Sequence, residues 1–245
     1  MRNIKLTISY DGTDFSGWQR QPKLRTIQQV LEDAIAHITG SKPNCSANGR
    51  TDAGVHAIGQ VVHFLTPSRH SPQIFVKGLN ATLPRDVRVL AAEEMPQSFH
   101  ATLDSRSKRY RYVMDNRPIS DPFLLRYAWH VYPHLDADRM NLAAQALKGR
   151  HDFHSYETNW PNRTSSVRTI FDIEVVRHGD LVHLEVEADG FLYNMVRAIT
   201  GTLSLVGSGH RPESFPGDAL LAEDRSEAGP TAPPHGLYLL RVHYS

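Results

Sequence analysis

Residues 170–188, IFDIEVVRHGDLVHLEVEA, decide the architecture of this chain. Apolar and polar side chains alternate over 170–176 and again over 181–188, and Gly179-Asp180 lies between the two runs. A period of two marks a strand with one buried face, and Gly-Asp between two such runs marks a tight reversal, so the segment predicts a β-hairpin. Working outward, a helix is expected over 191–206, with an apolar stripe of Leu192, Met195, Val196, Ile199 and Leu203 and a stop at Gly207 and Gly209. Upstream, residues 137–148 read as a helix ending at Gly149. In the first half, Ile4, Leu6, Ile8 and Tyr10 alternate with Lys5, Thr7 and Ser9, and Asp11-Gly12 ends that strand. Thr26 and Gln29 fit a capping box for a helix carrying Ile27, Val30, Leu31, Ala34, Ile35 and Ile38, with Gly40 as its stop. Further strands are expected at 60–65, 87–91, 110–114, 129–132 and 237–244, a further helix at 74–81, and a loop or linker over 223–235. This mixture predicts an α+β fold with a mainly antiparallel sheet. Strands and two helices of similar length occur on each side of position 105, which points to two related halves, 1–104 and 105–245, without any sequence repeat between them.

Composition sets limits. A length of 245 residues accommodates one large domain or two small ones. No stretch approaches the roughly 20 consecutive apolar residues of a membrane-spanning helix. The alternating start, Met1-Arg2-Asn3-Ile4-Lys5, lacks the apolar block of a secretory leader. Cys45 is the only cysteine, which leaves no intrachain disulfide, and a cytoplasmic location is expected. A net charge of +1 is a point against a nucleic-acid partner, but the charge is segregated. Most of the basic residues are arginine, whose planar fork suits phosphate and stacks on flat rings. Arg106, Lys108, Arg109 and Arg111 form one cluster, while residues 213–227 are acidic. A solvated surface and an RNA contact both fit that cluster.

The most unusual segment is 49–57, GRTDAGVHA. Two glycines bracket it, so the backbone can turn tightly and approach a ligand. Arg50 and Asp52 sit within it. By itself the pattern also fits an Asx-type turn with a surface ion pair. Five further motifs accompany it in order: residues 10–22 (YDGTDFSGWQRQP), 25–28 (RTIQ), 98–101 with 108–112 (SFHA, KRYRY), 191–197 (FLYNMVR) and 236–239 (GLYL). Together they resemble the TruA family of pseudouridine synthases over nearly the whole chain. Thr102 stands where many members carry Arg, and residues 156–162 are not distinctive.

The resemblance implies conversion of uridine to pseudouridine in tRNA at nucleotides 38, 39 and 40 of the anticodon stem-loop, with neither metal nor organic cofactor. It implies two α/β halves that share a central, mainly antiparallel sheet, with an active-site cleft between them, and a homodimer. It makes Asp52 the catalytic carboxylate and nucleophile, and Arg197 the guanidinium that keeps that carboxylate ionised. A nearby cation lowers a carboxylate pKa by about 1–3 units, against the upward push of burial. Tyr110 corresponds to the tyrosine that stacks on the target base, and Leu237 lines the pocket. Arg50 is expected to contact phosphate or help extrude the target nucleotide, and Arg109 and Arg111 to contact RNA. Tyr112 is expected in the core.

Two other readings remain at this level. His151-Asp152-Phe153-His154 with His56 raises a metal-dependent hydrolase, although the spacing does not place two ligands and a carboxylate on one helical face. Tyr110 and Tyr112 flanked by arginines also fit a non-catalytic RNA-binding sheet.

Overall fold

The computed structural model describes residues 1–158 and 165–244. In chain order its elements are β1 (Arg2–Tyr10), α1 (Ile27–Thr39), β2 (Ser46–Ala47), β3 (His56–Thr66), α2 (Pro72–Thr82), β4 (Val87–Met95), β5 (Ser105–Asp115), β6 (Trp129–His130), α3 (Ala137–Ala144), β7 (Gly149–Asp152), β8 (Val167–His178), β9 (Leu181–Ala188), α4 (Met195–Gly207), α5 (Phe215–Ala222) and β10 (Leu237–Tyr244). The fold is α+β with mainly antiparallel strands, as expected. Two compact units divide the chain: Met1–Arg106 joined by β10 from Tyr238 onward, and Ser107–Leu237. Among the described residues no helix is long and apolar enough to cross a membrane.

In the first unit β1 lies between β3 and β4, antiparallel to both. β2 and β10 both join β3, β2 antiparallel and β10 parallel. The alternation of β1 is expressed directly: Ile4, Leu6 and Ile8 are fully buried while Lys5, Thr7 and Ser9 are not. Phe64 of β3, opposite Ile4, meets Phe75 of α2 edge-on at 5.6 Å, which places the helix layer on that face. α1 contributes Ile27, Leu31 and Ile35 to the core and is capped by Thr26, whose side chain accepts from the Gln29 N–H. The opposite face carries a smaller cluster of Val61, Phe99 and Ala101, against which Met95, Val242 and Tyr244 pack.

In the second unit the expected hairpin is present as β8 and β9, joined through Gly179-Asp180, with His178 opposite Leu181. The pairing skips Phe171, which is half-exposed at the resulting bulge. β9 also pairs with β5, β8 with β7, and the two-residue β6 runs parallel to β5. One face of this sheet is apolar: Tyr112, Leu184 and Val186 are fully buried, along with Met195, Ile199 and Leu203 of α4. The other face is charged.

Some element ends differ from expectation. α4 begins at Met195, not 191, because Asn194 adopts a left-handed conformation (φ 63°) that turns the chain before the helix starts. The helix at 137 gives way to a 3-10 turn at Gln145–Leu147. α5, for which no helix was expected, opens with Phe215-Pro216-Gly217, and a proline in a first helical turn needs no N–H. β7, Gly-Arg-His-Asp, has no apolar alternation to reveal it. The stretch 223–235 is packed rather than linker-like: Pro230 O lies so close to Gly201 of α4 that a Cβ there would sit 1.7 Å away. Beside it the Gly229 N–H donates to Thr202 Oγ1 at 2.9 Å.

Candidate active site

Asp52 sits half-buried in the turn before β3, and its backbone is held from several sides. The Trp18 N–H donates to Thr51 O at 2.9 Å, and the Val55 N–H closes the turn on Asp52 O at 3.1 Å. The Tyr10 hydroxyl and Thr51 Oγ1 are 2.8 Å apart in a buried hydrogen bond. The motif at 10–22 therefore acts as a brace around the loop at 49–57. Its glycines are required by contact distance: a Cβ on Gly12 would lie 2.0 Å from Val55 O, and one on Gly17 (φ 83°) would lie 2.7 Å from Thr51 O. His56 extends the brace, accepting from the Gly12 N–H through Nδ1 at 3.1 Å and stacking on Tyr238 of β10 with ring centroids 4.8 Å apart. Behind the brace, Gln28 Oε1 accepts from the Arg20 N–H at 2.9 Å, and buried Glu32 pairs with the Arg20 side chain. Arg50 is exposed at the same turn. The arrangement holds one carboxylate on a rigid turn beside an accessible cation, the form needed by a group that must meet substrate at a fixed point.

The other expected residues belong to the second unit. Arg197 is in the first turn of α4, where Nε donates to Ala232 O and Nη1 to Asn194 Oδ1, both at 2.6 Å. Two donors fixed in this way orient the guanidinium plane. Tyr110 is largely buried on the apolar face of β5 and meets Phe191 edge-on, with centroids 5.0 Å apart. Tyr112 is a core residue as expected: it is fully buried, its hydroxyl donates to Pro233 O at 2.7 Å, and burial pushes its pKa well up. Leu237 is buried where the turn Pro234–Gly236 enters β10.

Comparison with known proteins settles the family. A family model described as tRNA pseudouridine synthase matches residues 6–104 and 143–245. This chain belongs to the tRNA pseudouridine synthase family. It is 42% identical over 244 residues to a protein of Thermoanaerobacter sp. (strain X514) named tRNA pseudouridine synthase A, with all of both chains covered. It is 43% identical over 245 residues to the protein of that name from Geotalea uraniireducens (strain Rf4), and 41% identical to that from Ruminiclostridium cellulolyticum, again with full coverage of both chains. Pseudouridine synthases are isomerases.

Within this pseudouridine synthase, Arg109 and Arg111 have a different setting from the open basic cluster read in the sequence. Arg109 lies within 3.4 Å of carboxylate oxygens of Asp172, Glu174, Glu185 and Glu187, drawn from β8 and β9. Arg111 also pairs with Glu185. Four acids around one guanidinium make this face a cross-strand ion-pair lattice. The histidines singled out earlier have structural partners: His151 bonds Lys148 O at 2.9 Å, and Asp152 Oδ1 accepts from the His154 N–H at 2.9 Å. Among the described residues no three His, Cys, Asp or Glu side chains gather into a group able to hold a metal ion.

Tyr10, Gly12 and Trp18 lie in the motif at 10–22, but no task was expected of them individually. Aromatic and glycine residues interleaved just after a buried strand were the available signal.

Proposed function

We propose that the protein isomerises uridine to pseudouridine in tRNA, at nucleotides 38, 39 and 40 of the anticodon stem-loop, with Asp52 as the nucleophile. The observation that carries this reading is the braced turn that holds Asp52 in a chain of this family. The C1′–N1 bond breaks, the uracil turns while bound, and a C1′–C5 bond forms. N1 gains a proton and the hydrogen on C5 leaves to solvent. The carboxylate meets the substrate as the glycosidic bond is lost. Extruding a base from a stem costs a few kcal/mol, and exposed Arg50 is assigned to contacting phosphate or helping extrude the target nucleotide. Tyr110, Arg197 and Leu237 take the roles the resemblance gives them: base stacking, keeping Asp52 ionised, and lining the uracil pocket. The ion pairs around Arg109 and Arg111 support a structural task for both, so RNA contact is assigned elsewhere. A homodimer working in the cytoplasm completes the reading.

The test is tritium release from C5-labelled uridine in tRNA. Wild-type protein should release tritium, and Asp52→Ala should bind the same tRNA with release abolished. Binding without release by the wild type would leave an RNA-binding protein and end the catalytic reading.

A further inference from the structure

We propose that Lys108 and Arg168 together grip a backbone phosphate of the RNA next to the uridine that Tyr110 receives. The proposal deepens the reading above and rests on RNA being the substrate. Lys108 precedes Tyr110 by two residues on β5, so both side chains leave the same face of the sheet. The register agrees: Lys108 stands opposite Ala188 and Tyr110 opposite Val186, and both partners are fully buried on the apolar face. Across β9, Ala188 is also paired with Ile170 of β8, and Arg168 precedes Ile170 by two residues. Lys108, Tyr110 and Arg168 therefore share one face, with only the small Ala188 side chain between the two strands that carry the cations. β9 ends there; Asp189, next in the chain and so on the other face, accepts from the Thr169 N–H through Oδ1 at 3.0 Å, and Gly190 after it has no side chain to cover the corner. A Cβ at Gly190 would lie 3.4 Å from Arg168 Nε. The next residue, Phe191, sets its ring against Tyr110. Two cations and two aromatic rings thus border one corner of the second unit.

The chemistry of the corner favours a phosphodiester. Burial and the charge of Arg168 both push the Lys108 pKa down, to about 8. Like charges in a partly dry setting repel, and an anionic oxygen between them replaces that repulsion with two charge-assisted hydrogen bonds. Arginine supplies a planar fork and lysine a point charge, a combination suited to one phosphate group. A phosphate held one side-chain step from the tyrosine would fix the backbone of the flipped nucleotide without touching the reacting atoms. Both are positioning residues.

The experiment measures the affinity of full-length protein for a tRNA transcript across a range of salt, together with KM and kcat from tritium release. Lys108→Met and Arg168→Met should each weaken binding about tenfold, the loss of one charge-assisted contact. Each should also reduce the slope of log Kd against log salt by about 0.7–0.9. KM should rise more than kcat falls, and Lys108→Arg should restore the slope. Unchanged slopes in both folded Met variants, or a Lys108→Arg as damaged as Lys108→Met, would overturn the proposal. If Lys108→Met loses its cooperative thermal transition, Arg168→Met and Lys108→Arg decide the matter. Binding with normal slopes but no tritium release by the wild type would defeat the catalytic reading and leave the phosphate grip standing. Normal release with unaltered slopes in the variants would defeat the grip alone.

Discussion

At the scale of single residues, the Tyr10 hydroxyl is bonded to Thr51, the neighbour of Asp52 in its turn. Burial pushes its pKa up to about 12, so it remains protonated and able to donate. Tyr10→Phe removes the 2.8 Å bond to Thr51 Oγ1 and leaves a buried hydroxyl without that partner. The expected cost is about 1–3 kcal/mol in denaturant unfolding. Turnover should fall while tRNA affinity holds; wild-type turnover in Tyr10→Phe would show that the brace does not set the carboxylate. His183 gives a pH prediction in the other unit. Burial lowers its pKa to about 4, with Arg111 and His178 pushing the same way and Glu185 opposing. The unfolded chain titrates near 6.5, so between about 4 and 6.5 it binds the extra proton. The stability that neutral His183 contributes is complete above 6.5 and is lost as pH falls to about 4. His183→Gln should flatten that part of the stability curve, and in the wild type the His183 ring resonances should titrate near the lower value. A midpoint near 6.5 would mean the ring is well hydrated.

At the scale of elements, periodicity predicted what periodicity produces. The β8–β9 hairpin, β1 and the stripes of α1 and α4 were legible because a buried face repeats at a fixed interval. Their ends were set by single backbone states that no pattern encodes. Asn194 is the clearest case, since its left-handed φ of 63° starts α4 while its side chain anchors Arg197. These two tasks separate by mutation. Asn194→Ala keeps the Cβ but loses the short polar side chain that lets asparagine hold a left-handed φ, so it should be less stable than Asn194→Gly, which has no Cβ to strain, by about 1 kcal/mol. Both variants lose the anchor to Arg197 and the bond from Asn194 Nδ2 to Thr158 Oγ1, and Asn194→Gly tolerates the turn. Both should therefore reduce kcat to a similar degree, while the Ala variant melts earlier than the Gly variant. Equal stability in the two would place the constraint outside residue 194. In the candidate site, the turn at 49–57 was legible as a turn. Arg50 and Asp52 stood out in a short Gly-bracketed run. The neutralisation of Arg109 did not, because its acids lie more than 60 residues away in sequence and meet it only through strand register.

At the scale of the whole molecule, the chain order and the units do not coincide. The first unit is closed by β10, which arrives after the entire second unit has been made. Joining sequence-distant strands costs loop entropy that grows only slowly with length, so a few good contacts can offset it. Those contacts are specific: Tyr238 stacks on His56 beside the Asp52 turn, and the Tyr244 hydroxyl donates to Ala101 O at 2.7 Å. Val242 and Tyr244 cover the small cluster of Val61, Phe99 and Ala101. Truncation after Leu237 should therefore act locally. Amides of β3 and of residues 99–101 should lose hydrogen-exchange protection, while those of β8 and β9 retain theirs. Tyr244→Phe, which keeps the ring and removes the hydroxyl's bonds to Ala101 O and Asn48 Nδ2, should cost about 1–2 kcal/mol and deprotect the same amides more weakly. Because His56 loses its stacking partner in the truncated chain but not in Tyr244→Phe, tritium release should collapse in the first and survive in the second. Equal loss of protection in both units would mean that β10 stabilises the molecule as a single cooperative block and that the Asp52 turn has no special dependence on it.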